Sequence, residues 1–338
     1  MKTWLVALVS TGLLGGCGKT GDPDVEIDGS GSTFQKAFQE VAIEAFTGAH
    51  PGITINYGGG GSGKGRQDLA DLVVDYACSD APYKAADKAR VKGGDFVYVP
   101  VLLGAITISY NLPGVDTLQL SAPTIARIFQ RRIKTWNDPA IAADNPAVTL
   151  PATAIVVVHR SDGSGTTEQL TLYLAKAAGG DWTLASGSTV EWPADTQAGN
   201  GNSGVAQIIK STPGAIGYVD LPDAKASGLV YAHVKNQAGT YVEPTVESVQ
   251  AAGAGIAVAE DLTFVAVNPA GAASYPITAP TWCMTYVKPP DAAKGAAVKA
   301  YFQFMVGDGQ TLIPDIDFAP LPEALQDKAI AEVAKIQG

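Results

Sequence analysis

The chain has 338 residues, 46% of them hydrophobic and 17% charged. That composition is globular, and the length suits two domains better than a single core. A net charge of −10 argues against a nucleic-acid or polybasic membrane role, so any anion the protein holds must be held by local dipoles and single residues.

Residues 1–16 read as an export signal. Lys2 supplies one positive charge, and Trp4 to Leu14 form an apolar run shorter than the ~20 residues a spanning helix needs. Leu14-Gly15-Gly16-Cys17 places small residues before a cysteine, in the manner of a bacterial lipobox. The expectation is a lipoprotein signal peptide over 1–16, lipid on Cys17 and a polar tether over 17–24. An ordinary signal peptide with a chance cysteine is the alternative. Cys78 and Cys283 remain, and an exported chain accommodates them either as one disulfide or as two buried thiols. Neither has a metal-ligand spacing and the chain has three histidines, so no metal or cofactor is expected.

Val25-Glu26-Ile27-Asp28 begins the mature chain as a short strand. It runs into Gly29-Ser30-Gly31-Ser32-Thr33-Phe34 and then a helix with Phe38, Val41, Ala42, Ala45 and Phe46 on one face. Ile53 to Tyr57 is a strand, Gly58 to Gly63 a glycine-rich loop, and Lys64 to Val74 a helix. A further short strand ends at Ser79-Asp80. Strands alternating with helices predict an α/β fold with a mainly parallel sheet, and ligands of such sheets bind beyond the carboxyl ends of the strands. Phe96 to Tyr110 is long, β-branched and interrupted by Pro100; it reads as a strand leaving one domain for another. A helix over Thr124 to Phe129, with Pro123 in its first turn, opens the second domain. Ala154 to Val158 is a buried strand, and His159 to Thr167 is the loop that starts a helix running to Lys176. Gly199 to Gly204 is a glycine-rich loop, Val205 to Lys210 a helix, and Pro213 to Asp220 a turn and strand. Residues 223–270 carry little pattern. Tyr275 to Thr278 begins a return crossing, and Lys294 to Val306 and Leu325 to Ile336 are amphipathic helices.

The chemistry concentrates at the junctions. Ser164-Gly165-Thr166 fall at a helix start, where unpaired N–H groups and the macrodipole favour an anion. Arg160 supplies a permanent positive fork with Asp162 two residues on to hold it; a plain local ion pair is the alternative. Gly58 to Gly65 approaches a nucleotide-binding loop, but Gly65 stands where Ser or Thr would hold Mg²⁺. A cradle presenting Ser62 and N–H groups fits better than a nucleotide site. Ser164 lacks the spacing of a hydrolase nucleophile, because Asp162 and Thr166 stand where glycines belong. Asp80 is either a turn carboxylate or an unusual member of an anion site. In the second role it makes sense only for an anion that carries a proton, which phosphate does at neutral pH and sulfate does not.

These stretches, together with Tyr110-Asn111-Leu112-Pro113-Gly114-Val115, Lys134 to Asp138, Gly187 to Val190, Pro213 to Val219 and Leu321-Pro322, occur in one order that resembles the PstS-type periplasmic phosphate-binding proteins. The resemblance covers most of residues 25–337. It implies a two-domain periplasmic-binding-protein clamp (type II) with the ligand in the interdomain cleft: 25–101 plus 277–338 as domain I, and 102–276 as domain II, hinged near Val101 and Ile277. It implies inorganic phosphate held by Thr33, Phe34 (through its backbone N–H), Ser62 and Asp80 from domain I, and by Arg160, Ser164, Gly165 and Thr166 from domain II, with Asp162 behind Arg160. It further implies a binding protein without catalytic activity that serves a membrane-embedded phosphate ABC permease; with the lipobox at Cys17, the expectation is a monomer lipid-anchored in the periplasm or at the cell surface. Arsenate, also protonated, and a phosphate-ester hydrolase using Ser164 are the rival readings. The sequence departs from the family at Gln35, usually proline, at the charged Lys64 and Arg66, and at Cys78.

Overall fold

The computed structural model describes residues 24–338. The signal peptide, Cys17 and all of the tether but Asp24 lie outside the described residues. Among the described residues no helix is long and apolar enough to cross a membrane, and no cluster of three or more His, Cys, Asp or Glu is arranged to hold a metal.

The first strand, β1 (Val25–Gly31), leads to helix α1 (Lys36–Ala49), then β2 (Ile53–Gly58), α2 (Ser62–Ala70) and β3 (Tyr76–Ser79). The helix α1 forms because Phe38, Ala42 and Phe46 recur every four residues and bury on one face; Ala45 is exposed. Burying one such phenylalanine contributes roughly 1.5–3 kcal/mol. The helix α2 starts two residues before the expected Lys64, at Ser62, and stops at Ala70 rather than Val74. Beyond it Leu72 turns left-handed with φ of 60°, and Asp75 N donates to Asp28 O (2.8 Å), pulling the chain into β3. Leu72 and Val73 lie exposed, so the apolar periodicity there is not a core stripe.

The long strand β4 (Phe96–Tyr110) joins the two halves of the molecule. From Phe96 to Ala105 it pairs antiparallel with the returning strand, and from Ile106 to Tyr110 with the strand over Ala215–Asp220. The second half contains β5 (Val156–Arg160), α3 (Gly165–Ala177), β6 (Gln197–Gly199), α4 (Gly201–Ser211) and β7 (Ala215–Asp220). The chain returns through β8 (Thr278–Tyr286) and ends with α5 (Ala292–Val306) and α6 (Glu323–Ala334). The main sheet runs β2-β1-β3-β8-β4-β7-β5-β6, with a short strand over Val230–Tyr231 also on β4. Two parallel groups, β2-β1-β3 and β7-β5-β6, therefore flank an antiparallel centre. Both groups present their carboxyl ends to one seam.

Pro100 sits inside this centre without breaking it. The register of β8 shifts between Thr281 and Trp282, with Thr281 opposite Leu102 and Trp282 opposite Pro100. Such a bulge accommodates a residue that has no N–H for the ladder, and bulges re-aim side chains beside binding sites. The segment that carries little sequence pattern holds short strands at His233–Lys235 and Tyr241–Val242 and a helix over Val246–Gly253 with a capping box at Thr245 and Ser248.

Candidate anion site

Each loop of the seam is shaped by its own short signals. Ser164 caps α3: its Oγ accepts from Thr167 N at 3.1 Å, which leaves the N–H groups of Gly165 and Thr166 without intrahelical partners. Arg160 is the last residue of β5 and is buried. Its Nε donates to Asp162 Oδ1 (2.8 Å) and its Nη2 to Asp162 Oδ2 (2.5 Å), a two-pronged pair that fixes the guanidinium plane. Nη1 turns the other way, to Asn202 Oδ1 (2.9 Å) and Thr166 Oγ1 (3.4 Å). Burial pushes the Asp162 carboxyl up, but the hydrogen bonds and charge of Arg160 outweigh it and hold it below the usual carboxylate range.

On the opposite wall Asp80 is buried at the end of β3. Ser32 Oγ and Thr281 Oγ1 (3.0 Å) donate to its Oδ1, and Ser62 Oγ (3.1 Å) donates to its Oδ2. Burial raises its affinity for a proton; the three hydroxyls and the charge of Arg160 oppose that without cancelling it. Phe34 is buried against Phe318, and its backbone N donates to Ser32 Oγ (3.1 Å). Thr33 reaches across the seam, its Oγ1 accepting from Asn202 N (3.3 Å).

The two walls touch. Gly63 N donates to Gly163 O (2.8 Å), and Gln169 Nε2 donates to the backbone oxygen of Asp80 (2.6 Å). Gly165 is packed so tightly that a Cβ there would lie 2.4 Å from Ser62 Oγ and 2.7 Å from Asp80 Oδ2. All eight residues named as ligands from the sequence, with Asp162, therefore line this one seam. It sets one guanidinium and one helix N-terminus against one carboxylate.

Other candidates resolve differently. His159 is tied to Arg160 O (2.9 Å) and Thr196 Oγ1 (3.0 Å) and stacks on Trp192, a structural role. Lys64 pairs with Asp68 along α2. Arg66 binds Ser79 Oγ (2.8 Å) and Ala81 O (2.9 Å), bracketing Asp80, and approaches Glu168 of α3 at 3.6 Å. Cys78 and Cys283 are register partners across β3 and β8, both buried and both free thiols, with Sγ atoms 3.2 Å apart. Four residues at the seam are absent from the sequence-derived set: Ser32, Gln169, Thr281 and Asn202. Ser32 and Asn202 stand within loops that the sequence marks as glycine-rich. Thr281 lies within a strand, where no local signal marks it.

With this geometry the molecule belongs to a recognisable class, the α/β periplasmic-binding-protein clamp, and a family model described as the PBP superfamily domain matches residues 18–309. Among curated proteins, phosphate-binding protein PstS 3 of Mycobacterium leprae is 35% identical, over 96% of this chain and 95% of its own length. Phosphate-binding protein PstS of Pasteurella multocida is 37% identical, over 83% of this chain and 82% of its own. The chain belongs to the PstS-type family of phosphate-binding proteins. Its fold is shared by a high-affinity periplasmic phosphate-binding protein solved with phosphate at pH 8.5, at 24% identity, a TM-score of 0.76, and coverage of 91% of this chain and 93% of that one. A phosphate-binding protein from Stenotrophomonas maltophilia matches at 21% identity and a TM-score of 0.72, with coverage of 91% and 93%.

Proposed function

We propose that this chain binds inorganic phosphate outside the cytoplasm and delivers it to a membrane-embedded phosphate ABC permease, as a lipid-anchored monomer attached through Cys17. The ligands are Thr33, the Phe34 N–H, Ser62, Asp80, Arg160, Ser164, Gly165 and Thr166, with Asp162 orienting Arg160. The domains are 25–101 plus 277–338 and 102–276; the change of partner along β4 between Ala105 and Ile106 supports a hinge in this region.

The observation that carries the reading is a buried carboxylate, Asp80, facing Arg160 and the start of α3. A carboxylate repels an anion unless that anion offers a proton. Hydrogen phosphate and dihydrogen phosphate offer one; sulfate at neutral pH does not. Leaving a buried charged acceptor unpaired costs roughly 1–3 kcal/mol or more, which is about five- to 150-fold in selectivity. Thr166 Oγ1 accepts from both Arg160 and Asn202, so its own proton is available to the ligand. Ser164 Oγ is engaged in capping α3 and His159 is tied elsewhere; the reading uses Ser164 as a hydrogen-bond donor and not as a nucleophile. The deciding experiment is calorimetric titration of the mature protein and of Asp80→Asn with phosphate and sulfate. The expected outcome is a phosphate-over-sulfate ratio at least about tenfold smaller in the variant. An unchanged ratio removes Asp80 from the discrimination between the two anions.

A further inference from the structure

The three hydroxyls around Asp80 are each polarised by an N–H. Ser32 Oγ accepts from Phe34 N (3.1 Å) and Gln35 N (3.4 Å), and Ser62 Oγ accepts from Asp80 N (3.1 Å). A hydroxyl that accepts from an N–H has its single proton left to give, and the acceptor beside each is Asp80; for Ser62 a bound anion competes for that proton, which leaves Oδ2 the emptier. Thr281 follows the same logic through a side chain. Its Oγ1 accepts from Gln35 Nε2 at 2.7 Å and donates to Asp80 Oδ1 at 3.0 Å, nearer than the alternative acceptor Ser79 O at 3.4 Å.

The direction of this chain of bonds is set deeper in the core. Gln35 Nε2 also faces Trp282 O (3.4 Å), which can only accept, so the amide nitrogen must lie on that side. Gln35 Oε1 in turn accepts from Gln39 Nε2 (3.1 Å). Gln39 Oε1 accepts from the hydroxyls of Tyr76 (3.2 Å) and Tyr301 (3.0 Å), while its Nε2 lies 3.6 Å from the sulfurs of Cys78, Cys283 and Met305. Gln35 and Gln39 are fully buried, where unpaired amide groups are costly and alternative orientations are disfavoured.

We propose that Thr281, with its polarity fixed by Gln35, is a positioning residue that holds Asp80 as a hydrogen-bond acceptor and so sets the selectivity for a protonated oxyanion. Oδ1 takes two hydroxyl protons and Oδ2 takes one, so the free acceptor capacity of Asp80 lies at Oδ2, the atom against Gly165. A ligand reaching that atom must bring its own proton. The proposal rests on Asp80 being the group that asks the anion for a proton. It concerns Gln35, where this sequence departs from the resemblance, and Thr281, a strand residue at the register shift, opposite Leu102.

The charged and titratable groups around Asp80 are Arg160 with Asp162 on the far wall, Cys78 next but one in β3, and Arg66 with Glu168 at the rim. None of these changes in a Thr281 variant. Removing one hydroxyl donor favours the protonated carboxyl, and a protonated Asp80 can donate to sulfate.

The test is titration of the full mature protein with phosphate and sulfate between pH 5 and pH 8, for Thr281→Val, Thr281→Ser, Gln35→Glu and Asp80→Asn. For Thr281→Val we expect a phosphate-over-sulfate ratio lowered by about tenfold and an acid loss of selectivity moved up by about one pH unit. Thr281→Ser restores the wild-type profile. Gln35→Glu offers an acceptor in place of the donor, turns the Thr281 proton away from Asp80 and reproduces Thr281→Val; if it fails to fold, the Thr281 pair decides alone. A purely structural role weakens both anions together and leaves ratio and pH profile in place; that result for a folded Thr281→Val overturns the proposal. If Asp80→Asn loses selectivity and Thr281→Val does not, the relay fails and the reading of Asp80 stands. If Asp80→Asn keeps selectivity, the reading of Asp80 fails and takes the relay with it.

Discussion

Gly165→Ala isolates closure from everything else the site does. The added methyl carbon would stand 2.4 Å from Ser62 Oγ and 2.7 Å from Asp80 Cβ and Oδ2. Ser62 and Asp80 are buried and mutually bonded, so neither is a loose side-chain end that swings aside. Ordinary contact begins at 3.4 Å, so the walls must stand about 1 Å further apart than they do here. At that separation the bonds across the seam are lost: Gly63 N to Gly163 O, Gln169 Nε2 to Asp80 O, and Asn202 N to Thr33 Oγ1. At about 0.5–1.5 kcal/mol each they amount to about 1.5–4.5 kcal/mol, a loss of roughly tenfold to two-thousandfold in phosphate affinity. Gly165 is the first residue of α3, where alanine is no less compatible with the helix than glycine, so each wall should keep its own fold. Calorimetric titration with phosphate, paired with melting curves with and without ligand, reads both effects. An affinity within about threefold of wild type would refute the argument that these walls meet around the ligand at Gly165.

Two further outcomes are expected. Asp220 is buried at the end of β7, its Oδ1 caps Asp223 N (2.8 Å), and its Oδ2 has no partner among the described residues. Burial and the neighbouring Asp223 carboxylate push its pKa well above the ordinary value. The folded state then binds more protons than the unfolded state above the unfolded pKa of about 3.9, so this group lowers stability as pH rises through that window. Asp220→Asn keeps the cap and should raise Tm at pH 8 by about 2 °C or more, with the gain shrinking towards pH 4. A gain that does not vary with pH contradicts the assignment. For Cys17, mass spectrometry of the protein purified from membranes should find the N-terminal cysteine carrying lipid, and an unmodified cleaved terminus rejects the anchor.

Much of this protein is legible without coordinates, and the reason is local. The seam is assembled from strand-loop-helix junctions, and each announces itself within about ten residues through an apolar run, glycines and hydroxyls, and a renewed helical period. Arg160, Asp162 and Ser164 can be read as one unit because they share one loop. Helix limits are less legible: α2 begins in the glycine-rich loop and α4 at Gly201, within the stretch read as a loop, because a helix that starts against a neighbouring wall is held by tertiary contacts more than by propensity.

The sequence by itself determined the fold class and the order of the strand-loop-helix junctions that meet at the seam. Only the tertiary structure decided how the charged groups there are poised. Asp80 receives protons from Ser32, Ser62 and Thr281, the last 201 residues away, and Thr281 takes its direction from Gln35, 246 residues away. A hydrogen bond's direction depends on what each atom's other neighbours donate or accept. Those neighbours are brought together by β8 returning beside β3 and β4, a contact that no local pattern in the chain encodes.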